Sequence, residues 1–122
     1  MKPYLIGLLI LTVAVACSQE TNKTGEYLNP GESIKVKPGQ IFTISMESNP
    51  ATGYNWQLSK ELDSIIILIT NAYIPADSKL GGHEVWTFKA IDYGQTNILM
   101  KYVRPCENDQ PARTNVFTVI VN

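Results

Sequence analysis

Cys106 and His83 are the side chains whose types could do covalent chemistry, a thiol attacking with an imidazole as base if the two came within hydrogen-bond reach. They stand in separate turn-rich segments, and no oxyanion-forming motif accompanies either, so the pair does not build a catalytic site and the chain reads as a non-enzyme. The same scarcity argues against a metal. There is 1 His and there are 2 Cys, Cys17 and Cys106, none with a second ligand at metal-binding spacing, and no cofactor is implied. Cys106 is more simply a free thiol, open to oxidation or a mixed disulfide if exposed. Arg104 offers different chemistry: a planar group with five donors beside the stiff Pro105, suited either to an acceptor on a partner or to a solvated cap. With 10 Lys+Arg against 11 Asp+Glu, and no cluster of basic residues, the chain lacks the phosphate-neutralising surface that nucleic acid requires.

Three segments concentrate residues that stiffen or free the backbone. In the first, Asn49, Pro50, Ala51, Thr52, Gly53 and Tyr54 lead into Asn55 and Trp56. Pro50 fixes its own φ and pushes Asn49 toward extended geometry, Gly53 permits positive φ, and Thr52 can hydrogen-bond locally. The expectation is a stiff surface loop, with a plain turn and Trp56 as core filler as the bland alternative. In the second, Gly81 and Gly82 precede His83, which allows a tight turn, close approach of a partner, or simple flexibility. The third runs from Arg104 through Pro105 and Cys106 to Pro111.

The elements that must position these loops read as short strands. Phe42, Ile44 and Met46 alternate with polar neighbours, as a half-buried strand requires. Residues 32–36 and 54–58 continue the pattern; Trp86, Phe88 and Ala90, then Ile98, Met100 and Tyr102, then Phe117, Val119 and Val121 each fall on one face. Residues 65–69 form an aliphatic run that suits a strand buried on both faces or one with exposed apolar surface, although a short helix over 60–64 fits nearly as well. Turn chemistry at 92–95 predicts an antiparallel connection between the strands on either side. Seven or eight short strands without a convincing amphipathic helix predict an all-β, immunoglobulin-like β-sandwich, mostly antiparallel, in which alternate loops emerge at one end as a single patch.

Ahead of this domain lies an apolar run over residues 4–16 that follows Lys2 and ends Ala14-Val15-Ala16-Cys17. It is short for a membrane-spanning helix and resembles a bacterial lipobox, in which the cysteine is lipidated after export. The implied layout is a signal peptide over 1–16, a tether over 17–26 that begins at the lipidated Cys17, and a domain over 27–122. That chain is exported and anchored, facing the periplasm or the cell exterior. The tether segment 18–25 has no apolar residue with which to bury surface. Once the leader is removed and Cys17 lipidated, Cys106 has no cysteine partner within the domain, so packing rather than a disulfide must hold it, and a monomer is expected.

Taken together, NPATGYNW at 49–56, GGHEVWTF at 81–88 and YVRPCE at 102–107 identify a resemblance to the chagasin-like inhibitors of papain-family cysteine peptidases. The family carries a threonine where Ala51 stands and a large aromatic residue where Cys106 stands. Losing such an anchor commonly costs an interface about 2 kcal/mol or more. The resemblance implies a reversible inhibitor whose three loops enter the peptidase cleft together. Residues 49–54 would lie at the catalytic centre, with Gly81, Gly82 and His83 on one side and Arg104, Pro105 and Cys106 on the other. Without it, the same sandwich would serve as a surface binding module for protein or carbohydrate.

Overall fold

The inward-facing rows expected from alternation meet in one core. Phe42, Ile44, Phe88, Ile98, Phe117 and Val119 are completely buried, and the rings of Phe42 and Phe88 stack at 5.5 Å. Each such side chain contributes about 1.5–3 kcal/mol when taken out of water. The computed structural model describes residues 25–27, 30–77, 81–105 and 110–122. Within them are eight strands: β1 (Gly25–Tyr27), β2 (Ser33–Val36), β3 (Ile41–Ser48), β4 (Asn55–Leu58), β5 (Ile66–Pro75), β6 (Gly82–Ala90), β7 (Gly94–Val103) and β8 (Arg113–Val121). They form two four-stranded sheets, ordered β1-β3-β6-β5 and β2-β8-β7-β4, in an immunoglobulin-like β-sandwich. The short edge strands β1 and β2 pair parallel to β3 and β8, while the remaining pairings are antiparallel.

Two expectations are corrected, and one open alternative is settled. The turn at 92–95 does not make a hairpin: β6 belongs to the first sheet and β7 to the second, so the chain crosses the sandwich there. Gly94 (φ 140°) passes so close to Ile65 that a Cβ would lie 2.8 Å from Ile65 Cδ1, and turn-forming residues alone do not distinguish such a crossing from a hairpin. Of the readings for 60–69, the strand with exposed apolar surface holds: residues 60–64 are not helical, and 66–69 open β5, an edge strand that continues to Pro75. Only Ile66 of β5 is fully buried; Ile67, Ile69 and Ile74 are exposed, and a bulge between Leu68 and Thr70 breaks the simple alternation. Finally, the first sheet starts at Gly25 rather than at 27, because β1 pairs with β3 and Thr43 Oγ1 donates to Gly25 O at 3.3 Å. Residues 1–24, including Cys17 and the apolar leader, lie outside the described residues.

The topology places three connections at one end of the sandwich. β3 ends at Ser48 opposite Gly82 at the start of β6, and β4 begins at Asn55 opposite Val103 at the end of β7. The β3–β4 loop, the approach to β6 and the exit from β7 therefore share that end.

Candidate functional site

The β3–β4 loop is built by the residue types that marked it in the sequence. Asn49 (φ −134°, ψ 90°) caps a single 3-10 turn, Pro50–Thr52, with its side-chain oxygen accepting from Ala51 N at 3.2 Å. Asn49 O accepts from both Thr52 N at 3.0 Å and Thr52 Oγ1 at 2.7 Å, and Pro50 O accepts from Gly53 N at 2.9 Å. Gly53 then leaves the turn in the left-handed region at φ 87°, where a Cβ would strain the backbone. Ala51, Thr52 and Gly53 are exposed at the tip.

The flank formed by β7 braces this loop with aromatic and cationic surfaces. Tyr54 stacks on Tyr102 at 5.2 Å, Tyr102 lies 4.9 Å from Trp56, and the Arg104 guanidinium sits 4.5 Å from the centre of the Tyr54 ring. Arg104 Nε donates to Thr52 O at 3.3 Å, and the Tyr102 hydroxyl accepts from Asn49 N at 2.9 Å. Arg113, on β8, lies 4.9 Å from the Tyr102 ring centre and 5.4 Å from that of Trp56, and donates to Glu47 O at 3.4 Å. Tyr54 is thus an internal buttress as well as a surface residue, a role that its place in the loop did not announce. Pro105 is exposed just beyond Arg104, and Cys106 lies outside the described residues.

The glycine pair reaches the first loop from the other side. Gly81 adopts φ 107°, and a Cβ there would come within 2.8 Å of Ser48 O and 3.1 Å of Asn49 Cβ. Gly81 O accepts from Ala76 N at 3.0 Å, tying the residue after β5 to the one before β6. His83 is exposed on β6 opposite Glu47. A cleft of about 290 Å³ opens between the two loops, bordered by Asn49, Gly81, Gly82 and His83 and by Tyr102 and Arg113.

Of the residues singled out in the sequence, the structure therefore brings Asn49, Pro50, Ala51, Thr52, Gly53, Tyr54, Gly81, Gly82, His83, Arg104 and Pro105 to one end. Sequence reasoning missed the groups beneath them. Glu84 is buried, with Oε2 accepting from Ser48 Oγ at 2.7 Å and Trp56 N at 3.0 Å and Oε1 accepting from Trp86 Nε1 at 3.2 Å. The available signal was a glutamate at the inward position of a strand, in step with Trp86 and Phe88. Among the described residues no group of His, Cys, Asp or Glu could hold a metal ion. What the end presents is an exposed tip in which the Asn49, Pro50 and Thr52 carbonyls already accept hydrogen bonds.

Residues 35–121 match the family described as Chagasin family peptidase inhibitor I42. The chain is 32% identical over 82 residues to chagasin of Trypanosoma cruzi, covering 62% of this chain and 74% of chagasin. Its fold is similar to that of the cysteine protease inhibitor EhICP2 of Entamoeba histolytica, with TM-score 0.62 and 19% identity over 84% of this chain and 100% of that one. It is also similar to PbICP-C, solved in complex with falcipain-2, with TM-score 0.54 and 21% identity over 87% of this chain and 96% of the other.

Proposed function

The chain belongs to the chagasin family of peptidase inhibitors, and from that premise we propose that it is a reversible inhibitor of papain-like cysteine peptidases, blocking the active-site cleft with the loops at one end of the sandwich. The carrying observation is the internally bonded tip at Pro50–Thr52, held between the glycine pair and Arg104.

Two physical consequences support this use. A loop already fixed by its own hydrogen bonds loses little conformational entropy on docking, so more of its contact energy appears as affinity. Asn49 O, Pro50 O and Thr52 O each accept a hydrogen bond from the loop or from Arg104, and the tip is curled in a 3-10 turn rather than extended. A tip curled in this way does not lay its carbonyls along a cleft as an extended substrate does, so in this reading the cleft is filled without being given a substrate. In this reading Ala51, Thr52 and Gly53 lie over the catalytic centre. Gly81 and Gly82 offer backbone on one side with His83 beside them, and Arg104, Pro105 and Cys106 occupy the other. Asn49, Pro50 and Tyr54 hold the tip as well as bordering it.

The protein acts by binding and is not itself an enzyme. Its N-terminal segment fits export, lipidation at Cys17 and display of a monomeric domain on a tether at the periplasmic or outer face of a membrane. Incorporation of labelled fatty acid, abolished by Cys17→Ser, tests the anchor. Titration of the chain into papain and related peptidases tests the function: saturable, reversible loss of activity is expected. Full activity across the panel would favour a surface binding module instead.

A further inference from the structure

One buried side chain joins the two stems of the β3–β4 loop. Ser48 closes β3 just before the loop and Trp56 follows it in β4, and both donate to the same oxygen, Glu84 Oε2, at 2.7 and 3.0 Å. β3 and β4 belong to different sheets, so no ladder of backbone hydrogen bonds sets the separation of the loop's ends. β4 is also an edge strand, and the Trp56 N–H that meets Glu84 points away from its partner β7. Trp56 Nε1, donating to Glu47 O at 2.9 Å, adds a second tie between the same two strands.

The chemistry of the Glu84 site is matched to a carboxylate. Its three partners are a hydroxyl, a backbone N–H and an indole N–H; the two N–H groups can only donate, and a carboxylate can only accept. Glu84 is 8% exposed, and a polar group at that depth is tolerated when hydrogen bonds replace its water. An apolar side chain would fill the core at lower desolvation cost but would leave both stems untied.

We propose that Glu84 is a positioning residue for inhibition, fixing the entry and exit of the β3–β4 loop so that its tip meets the peptidase in one conformation. The link to inhibition rests on the function proposed above; the effect on the loop does not. Glu84→Gln keeps the shape but turns an amide N–H toward at least one donor. In the full chain this variant should weaken inhibition of papain about tenfold, the scale of a lost charge-assisted hydrogen bond. Amide exchange at Gly53 and Trp56 should accelerate by about the same factor beyond any change at Met100 in β7, and papain should begin to cut within 49–54. Ser48→Ala, which removes one donor without mismatching the carboxylate, should give the same pattern at about threefold, and carries the test if Glu84→Gln fails to fold. Exchange that rises equally in the loop and in β7, or a loop that stays protected in both variants, overturns the positioning role. Inhibition by the unchanged chain is scored separately, so failure of the functional reading is distinguishable from failure of this one.

Discussion

Two neighbouring loops at the same end of the sandwich are held by opposite means. The β3–β4 loop is shaped by what its side chains do: Asn49 caps, Thr52 back-bonds, Tyr102 accepts from the Asn49 amide, Arg104 lies on Tyr54, and Glu84 ties the stems from below. The approach to β6 is shaped by side chains that are missing. Gly81 and Gly82 let two stretches of backbone, at Ser48 and at Ile74–Pro75, come closer than any Cβ would allow. The first arrangement is a network of bonds each worth about 1 kcal/mol, so damage to it should be graded. The second is a steric fit, so damage should be abrupt.

Gly82→Ala is the hardest blow to that contrast. Its Cβ would collide with Ile74 O and lie 2.8 Å from Pro75 Cα and 2.9 Å from Ala76 N, all backbone that cannot rotate away. A loss of about 3 kcal/mol in stability is expected in denaturant unfolding; a change below the scale of a single hydrogen bond would show that the glycine loop yields. Tyr102→Phe probes the other mechanism with a smaller effect. It keeps the ring stack but removes the acceptor of Asn49 N, and should cost about 1 kcal/mol of stability and loosen the tip, read as faster amide exchange at Asn49 and Ala51. Arg104→Ala should move stability least, by about 0.5 kcal/mol, since its contacts to Tyr54 and Thr52 lie at the surface. Its inhibition constant should shift by more than that stability change accounts for. Equal effects of all three substitutions would erase the distinction between the loops.

The strands carried by strict alternation were legible from sequence because one buried face leaves a period of two, as in Phe42, Ile44 and Met46. The tip was legible for a related reason: Pro50, Thr52 and Gly53 act through local backbone geometry, which is encoded locally. What was hidden depends on partners distant in the chain. The 92–95 crossing has the residues of a hairpin turn, and only the sheet assignment of β6 and β7 separates the two cases. The outer half of β5 does not alternate, because residues 70–75 are exposed on both faces and their pairing with β6 is set by backbone bonds. Glu84 reads as a strand residue until Ser48 and Trp56, from two different sheets, are seen to converge on it. Tyr102 was legible as core, whereas its hydroxyl bond to Asn49 required knowing that β7 ends beneath the loop.

The claim that a pre-bonded tip blocks a peptidase without serving as its substrate is tested most directly by the mass of the chain after prolonged incubation with an equimolar amount of active papain. The expected result is an inhibited enzyme and residues 49–54 intact throughout. Cleavage within that loop in step with recovery of papain activity would contradict it, because the tip would then be a slow substrate rather than a plug.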